Sequence, residues 1–527
     1  MALKQSLLSN LIMVGRLMFG FRMSKFFSCI VFFALLVLVS CKDDEPVITP
    51  QKGELVLRQL SIKVGEKEYC PVDTIGSDFY FCVPQDADIS KLKLVVAHDN
   101  DTFVHVDGSM LAEDDTICDF SDLEHGVTCR VSYDDGEFKD YTIRVLNTNL
   151  PTVFVTTPEL QAIVDKENWI ASSSIKIWTP EDGLSYTDTT NIRGRGNYTW
   201  TYPKKPYAIK LNKKAGLLGL TKHKRFCLLA CWKGFIGNYY MAEVAKRCTG
   251  QPWVPQGKFV ELILNGEFKG LYYLSEQIKI DKNRVNITEI KKDDLGGANL
   301  TGGYLLEFDE EFDEEFKFKS DIYQMPVMLK SPDESVPDEQ LAYIKDYVNS
   351  MEKELSKIGT EESHYQDYLD VNSFADYWMA SEVIYNHEVY KPRSFYMYKG
   401  RDGVDSEPGT VCKMKAGPFW DQEMIFVDHW WNNKDAHYFG ALFKDAGYRA
   451  AVKNNWKQFR ANLEGRGKYP HVLDNINSTY NQISFSYKRD STLWKNEGFS
   501  LHKDVKTLND GFISKLDWME EFIMGLE

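Results

Sequence analysis

The hydrophobic pattern changes partway along the chain, and this change constrains the fold more than any other feature. Up to about residue 310, short apolar runs such as 259–264 and 270–275 alternate with turn residues, which is typical of β-strands. From residue 338 onward, apolar residues recur at helical spacing over long stretches such as 338–356 and 508–525. A β-rich part followed by an α-rich part predicts an α+β fold with two lobes and a cleft between them.

The length of 527 residues predicts more than one hydrophobic core, and the turn chemistry indicates where the chain divides. Residues 53–149 contain short alternating runs separated by turns such as Asp134-Asp135-Gly136, which predicts a small immunoglobulin-like sandwich of antiparallel β-strands. We interpret this domain as a spacer, with a binding role as the alternative. The segment 147–151 is the predicted linker, and the second domain is predicted to span residues 152–520.

The N-terminal region has the pattern of an exported protein. The apolar run at 26–39 is too short for a comfortable membrane-spanning helix, so we interpret residues 1–41 as a signal peptide whose start is Met23. It ends in Leu38-Val39-Ser40-Cys41, which resembles a bacterial lipobox with Cys41 as the lipidated residue. The acidic tether at 42–52 resembles the surface-export signal of Bacteroidetes lipoproteins. We therefore expect a lipid anchor in the bacterial envelope and exposure at the surface of the outer membrane; an uncleaved anchor helix is the alternative.

The net charge of −15 argues against nucleic-acid binding, because contacts with a phosphate backbone require lysine and arginine. Basic residues nevertheless cluster between residues 193 and 214. A basic patch in an acidic protein indicates a bound anion.

Arginines in a glycine-containing segment are the first candidates for contacts with that anion. Arg193 and Arg195 alternate with glycines, which let the backbone approach a ligand closely. Guanidinium groups bind phosphate or carboxylate in a bidentate way. A structural turn with solvated arginines is the alternative.

Lysines and one carboxylate follow in the next predicted strands. Lys205 and Lys210 lie at or within a predicted strand, where a lysine either binds a nucleotide phosphate or is solvated. Asn265-Gly266 between two apolar runs predicts a β-hairpin, and Glu276 comes at the end of its second strand. Glu276 is suited to pair with a phosphate-binding lysine, as kinases require, or to serve as an acid in the first turn of a helix.

Two further carboxylates lie on either side of a predicted hairpin, 394–399 with 412–415. Glu388 precedes this hairpin and Asp421 follows it, so hairpin geometry is able to bring the two carboxylates to one site. Paired carboxylates serve either metal-assisted phosphate transfer or glycoside hydrolysis, and the spacing alone leaves both open.

Taken in order, these segments resemble the landmarks of the CotH family of atypical protein kinases. The resemblance covers about residues 152–520, and each motif is weak alone whereas the series is specific. The motifs are RGRGN (193–197), KKPYAIK (204–210), NGEFKGLYYLSEQ (265–277), GGYLLEFD (302–309), NHEVYKPRS (386–394) and GPFWDQE (417–423).

The resemblance implies a fold like that of secretory-pathway kinases, and transfer of the γ-phosphate of ATP to Ser or Thr of a protein substrate with Mg²⁺ or Mn²⁺. The roles that it implies are catalytic for Glu388 and Asp421, metal-binding for Asp421, Glu423 and Ser394, and phosphate-binding for Arg193, Arg195, Lys205 and Lys210, with Glu276 as ion-pair partner.

Four positions depart from the family pattern, and one of them is Glu423, which stands where the family has a second Asp. Glu388 and Ser394 stand where many members have Asp and Asn, and Gln422 replaces an aromatic residue. Weakened or lost activity would leave a non-enzymatic surface adhesin or glycan-binding protein on a degenerate CotH scaffold, and this is the alternative function.

Overall fold

A computed structural model describes residues 54–111, 115–423, 433–495 and 498–527. The signal peptide, the lipidation site Cys41 and the whole tether at 42–52 fall outside these ranges, so they stay predictions. None of the helices in the described ranges is both long and apolar enough to cross a lipid bilayer. Four sheets and eight α-helices are present in these ranges, and this confirms the predicted α+β class.

The first ten strands form two sheets around a shared hydrophobic core, ordered β2-β1-β5-β8 and β3-β4-β10-β9-β6-β7. Their alternation is clear in β9, where Val127, Cys129 and Val131 are buried and the residues between them face out. The ten strands are β1 (Gln59–Val64), β2 (Lys67–Tyr69), β3 (Asp73–Ile75), β4 (Asp78–Pro84), β5 (Leu92–Ala97), β6 (Phe103–Val106), β7 (Ser109–Met110), β8 (Asp115–Cys118), β9 (Val127–Ser132) and β10 (Phe138–Thr148).

One pairing in these sheets differs from the antiparallel arrangement that the sequence predicted. Strands β4 and β10 run parallel, with Asp78 opposite Thr142, whereas the other described pairs are antiparallel. The reason is topological: β4 and β10 are far apart in the sequence, so a long connection returns the chain in the same direction.

The next seven strands close into a barrel, in the order β11-β12-β13-β14-β15-β17-β16. Its interior is filled by alternate apolar side chains such as Ile192, Ile209 and Phe226. The seven strands are β11 (Thr152–Thr156), β12 (Ile170–Thr179), β13 (Gly183–Gly194), β14 (Tyr207–Ala215), β15 (His223–Leu229), β16 (Gly257–Leu264) and β17 (Glu267–Glu276).

The hairpin that Asn265-Gly266 predicted joins β16 to β17. Both residues have positive φ angles, 52° and 84°, which is the conformation that a tight two-residue turn requires. Beside this turn the barrel packs against the N-terminal sheets through an apolar cluster that includes Tyr80, Phe154 and Trp178. A 2.7 Å ion pair between Lys176 and Asp73 joins the same two parts.

The remaining strands form a five-stranded antiparallel sheet in the order β19-β20-β18-β21-β22, and its neighbours in the fold are helices. The predicted hairpin is present as β21 and β22, with Tyr398 opposite Lys415. The five strands are β18 (Tyr304–Phe308), β19 (Lys317–Lys319), β20 (Pro326–Ser331), β21 (Phe395–Lys399) and β22 (Lys415–Ala416).

Helices dominate the C-terminal half, as the apolar periodicity predicted. The most buried helix is α4, in which every residue from Ser373 to Val383 is buried. The helices are α1 (Gly237–Ala245), α2 (Gly297–Leu300), α3 (Asp338–Lys357), α4 (Val371–Val383), α5 (His437–Leu442), α6 (Ala446–Leu463), α7 (Val472–Trp494) and α8 (Leu501–Met524).

Candidate functional site

A cleft of about 660 Å³ lies between the outer face of the barrel and the five-stranded sheet. Its barrel wall includes Arg193 and Ala208, its sheet wall includes Glu307 and Lys330, and one end is formed by the segment that contains Asp421. Charged side chains of both signs line it, so the cleft is suited to a ligand that is itself highly charged.

The arginines predicted to bind phosphate both line this cleft. Arg193 stacks on the Trp169 ring at 4.6 Å and donates from Nη1 to the carbonyl oxygen of Glu167 at 3.0 Å. The guanidinium of Arg195 lies 5.6 Å from the centre of the Trp420 ring. Gly194 between them is required, since a Cβ atom there would lie 2.5 Å from the Trp200 ring. The predicted glycine segment is therefore the tightly packed end of β13 and the residues directly after it, and both of its arginines line the cleft.

The opposite wall contributes a lysine that the sequence did not single out. The Nζ atom of Lys330, on β20, lies 3.1 Å from a carboxylate oxygen of Glu307 and 2.5 Å from one of Glu314. Burial alone would lower the pKa of Lys330, but the two carboxylates outweigh burial and raise it. Lys330 is thus a permanently charged ammonium group held in place on the cleft wall.

Four carboxylates converge at one end of the cleft, from Asp309, Glu388, Asp421 and Glu423. Burial first, and then the charge of Asp421, raise the pKa of Glu388 to about 8. The same two causes raise the pKa of Glu423 to about 8, and burial raises that of Asp309 to about 6. Burial also raises the pKa of Asp421, although the nearby Arg195 guanidinium opposes this. Such crowding of acids is unfavourable unless a positive charge shares the site.

Local structure holds each of these acids in place. Glu388 lies in a short 3₁₀ helix, His387–Val389, that the side chain of Asn386 caps by accepting from the Glu388 amide at 3.1 Å. The amide of Ser394 donates to the Asp309 carboxylate at 2.9 Å, so Ser394 is adjacent to the acid cluster. Next to Asp421, the buried Gln422 donates from its side chain to the carbonyl oxygen of Ile384 at 3.4 Å and anchors the segment.

Three predicted phosphate-site residues lie elsewhere. Lys205 donates to the carbonyl oxygen of Trp200 at 2.8 Å, and Lys210 lies on β14 outside the residues that line the cleft. Glu276 lies on the same face of β17 as Tyr272 and Leu274, whose side chains fill the barrel interior. Its carboxylate therefore points into the barrel and away from the cleft. It accepts from the Thr221 amide at 2.6 Å and the Gln256 amide at 3.0 Å. The structure therefore brings Arg193, Arg195, Ser394, Glu388, Asp421 and Glu423 together and leaves these three apart.

Glu307 and Asp309 belong to the GGYLLEFD motif (302–309), but no role was predicted for either. Both lie on or beside β18 at alternate positions, so they share a face of the sheet, and this alternation was the available signal. Lys330 had no such signal, because a single lysine at the end of an apolar strand is most often solvated.

A divalent cation was predicted at Asp421, Glu423 and Ser394. Within the described ranges, no group of three or more Asp, Glu, His or Cys side chains is arranged to hold a metal ion. Mg²⁺ bound together with a nucleotide needs only one or two carboxylates, since phosphates and water complete its coordination. The carboxylate oxygens of Asp421 and Glu423 are donors of the kind that Mg²⁺ prefers. The charge of Asp421 helps to raise the pKa of Glu423, and a nearby cation would relieve that repulsion.

Comparison with known proteins leads to one family. No curated protein matches this chain. A crystal structure from Bacteroides thetaiotaomicron, provisionally assigned as a glycoside hydrolase, matches at 15% identity over 41% of this chain and 55% of its own, with a TM-score of 0.17. That likeness is too low to carry an argument. The family model described as CotH kinase protein matches residues 192–524, which is well over half of the chain and includes the whole cleft apart from Lys166 and Glu167. The chain therefore belongs to the CotH kinase family.

Proposed function

We propose that the cleft transfers the γ-phosphoryl group of ATP to a hydroxyl group of a protein Ser or Thr. In this proposal the barrel is one lobe of a kinase-like arrangement, and the five-stranded sheet with its helices is the other. The observation that carries the proposal is the meeting of Arg195 and Lys330 with Asp421, Glu388 and Glu423 in a single cleft. Phosphoryl transfer depends on positioning and charge stabilisation, and these are the groups it requires.

The basic residues bind the phosphates. Arg195 lies close to the acid end of the cleft, because its positive charge opposes the rise in the pKa values of Asp421 and Glu423 that burial causes. Lys330 lies on the opposite wall with its ammonium group fixed by Glu307 and Glu314. A phosphate chain between these two residues would receive charge-assisted hydrogen bonds from both walls of the cleft.

Asp421 and Glu423 are the residues that would hold Mg²⁺ or Mn²⁺. The cation, when bound, neutralises charge on the β- and γ-phosphates. Asp421 is held in a left-handed backbone conformation, with a φ of 63°, and aims into the cleft from the segment that Gln422 anchors. A positive charge beside Asp421 also removes the repulsion that helps to keep Glu388 protonated.

Glu388 is the general base. The acceptor oxygen forms a bond to the γ-phosphorus, the bond from that phosphorus to the bridging oxygen breaks, and the hydroxyl proton passes to the Glu388 carboxylate while ADP leaves. The pKa of about 8 means that Glu388 is largely protonated at neutral pH when no cation is bound beside it. It becomes a base once positive charge near Asp421 lowers that pKa, so substrate binding and base activation are linked.

Calorimetry of Mn²⁺–ATP binding tests this assignment with Asp421→Asn, which keeps the shape and removes the charge. We expect binding to weaken by at least tenfold and phosphotransfer, followed by mass spectrometry of a phosphorylated protein, to disappear. Asp346→Asn on the exposed face of α3 is the matched control and should behave as wild type. If Asp421→Asn binds Mn²⁺–ATP as tightly as wild type, Asp421 is a structural residue. If wild type binds no nucleotide, the proposed function is wrong.

A further inference from the structure

A buried ion pair lies at the C-terminal end of α4, and the proposed phosphotransfer steps do not use it. One carboxylate oxygen of Glu382, on α4, lies 3.8 Å from Nζ of Lys515, on α8, and each of the two side chains is only 1% exposed. The last turn of a helix disfavours a negative charge. A buried ion pair also tends to contribute no more stability than well-packed apolar side chains would. This pair therefore needs an explanation other than stability.

The second carboxylate oxygen of Glu382 connects the ion pair to the cleft. It accepts a hydrogen bond from the backbone amide of Asn433. The buried side chain of Asn433 donates from Nδ2 to the carbonyl oxygen of Asn386 at 3.1 Å. Asn386 is the residue whose side chain accepts from the Glu388 amide at 3.1 Å. A continuous series of hydrogen bonds thus runs from the buried pair to the backbone of the proposed general base.

The turn between α4 and Glu388 has a backbone that needs such support. Tyr385 has a left-handed conformation, with a φ of 55°, which glycine adopts readily and a residue with a Cβ atom adopts at an energetic cost. Directly after it, the amide of Asn386 donates to the carbonyl oxygen of Ser381 at 2.8 Å and closes the end of the helix. The hydrogen bond from Asn433 to the Asn386 carbonyl holds this turn from its other side.

The same end of α4 also holds the segment that contains Asp421. Gln422, the next residue, donates from its side chain to the carbonyl oxygen of Ile384 at 3.4 Å. Ile384 is two residues before Asn386, so one turn of backbone is tied to both acidic segments. The position of Glu388 relative to Asp421 therefore depends on how firmly that turn is held.

We propose, building on the phosphotransfer function above, that Glu382 and Asn433 are positioning residues that hold Glu388 in place relative to Asp421. Neither of them lines the cleft, so they act through the carbonyl oxygen of Asn386 and not on the substrate. Lys515 compensates the charge of Glu382 in a place that is closed to solvent. Small displacements of a catalytic group lower the rate strongly, which gives a buried network at this distance from the cleft a measurable effect on turnover.

Phosphotransfer rates and calorimetry of Mn²⁺–ATP binding on the full chain test the role of Asn433. Calorimetry also counts the molecules that bind nucleotide, so kcat is expressed per binding site. Asn433→Ala removes the donor to Asn386 and should lower kcat per site by about tenfold or more, with the Kd for Mn²⁺–ATP unchanged. Asn455→Ala is the matched control, because Asn455 donates to Asp376 in the first half of the same helix at 3.0 Å. It should keep the wild-type kcat per site.

Glu382 is tested by a conservative change and a non-conservative one. Glu382→Gln keeps an oxygen acceptor for the Asn433 amide but leaves Lys515 without a counter-charge, so it should lower the unfolding free energy and keep kcat per site close to wild type. Glu382→Ala removes the acceptor as well and should lower kcat per site as Asn433→Ala does. If Glu382→Ala fails to fold, the double variant Glu382→Leu/Lys515→Met leaves no buried charge and tests the same loss.

The outcomes separate this inference from the function on which it rests. If Asn433→Ala has fewer binding sites but a normal kcat per site, Asn433 only stabilises the fold and the inference is wrong. If Glu382→Gln loses as much kcat per site as Glu382→Ala, the hydrogen bond to Asn433 is not what matters, which also overturns it. If wild type binds Mn²⁺–ATP but transfers no phosphate, or binds no nucleotide, the phosphotransfer proposal itself fails.

Discussion

Replacement of Lys330 by Met separates a binding role from a structural one. The methionine keeps most of the side-chain length and volume but removes the ammonium group that contacts Glu307 at 3.1 Å and Glu314 at 2.5 Å. The side chain of Glu307 is only 10% exposed, whereas that of Glu314 is 39% exposed. Glu307 is therefore left as a nearly buried charge without its cation, while Glu314 regains water.

The structural cost follows from that difference. Breaking a buried ion pair by removing one partner costs about 3–5 kcal/mol. Because Lys330 is partly exposed, Lys330→Met should lower the unfolding free energy by less, roughly 2–3 kcal/mol. The double variant Lys330→Met/Glu307→Gln removes the stranded charge as well and should recover most of this loss. ATP binding should fall in both variants by about 1.5–3 kcal/mol, the range for a hydrogen bond to a charged group.

Urea unfolding measures the change in unfolding free energy, and calorimetry of Mn²⁺–ATP binding measures the change in ATP affinity. Lys269→Met is the matched control, because Lys269 has similar exposure but pairs with the exposed Glu267 outside the cleft. Its unfolding free energy should change by less than about 1 kcal/mol, as is usual for surface pairs, and its ATP binding should not change. Recovery of ATP binding together with stability in the double variant would refute the reasoning, since Lys330 would then act only by neutralising Glu307.

Two further predictions concern the base and the anchor. Because burial and Asp421 raise the pKa of Glu388 to about 8, the folded chain keeps a proton that the unfolded chain loses near pH 4.5. The unfolding free energy of the cation-free protein should therefore fall as pH rises between these values, by at most about 1.4 kcal/mol per pH unit for this group. Glu388→Gln should flatten this dependence in urea titrations and should lower kcat far more than ATP affinity, and a steeper dependence or an unchanged kcat would count against Glu388. Cys41→Ser should release the protein from the membrane fraction, and a variant that still fractionates with membrane at the wild-type level would exclude the lipid anchor.

Local signals in the sequence determined much of the architecture. Asn265-Gly266 predicted a hairpin because few residues other than glycine and asparagine adopt positive φ at low cost, and the turn has that geometry. The long amphipathic stretches 338–356 and 508–525 predicted helices that correspond to α3 and α8, although α8 begins earlier than predicted, at Leu501. The order of short motifs predicted the family, and the family match over residues 192–524 confirms it.

Which face of a strand meets the cleft was decided only by the tertiary structure. Alternation placed Glu276 on the same face as Tyr272 and Leu274, but only closure of the barrel turned that face inward. Lys330 was inconspicuous in the sequence, and it became a cleft residue because β20 pairs beside β18 and brings it to Glu307. The period of a pattern is a local property of the chain, whereas the direction in which that pattern faces depends on contacts between strands that are far apart in sequence.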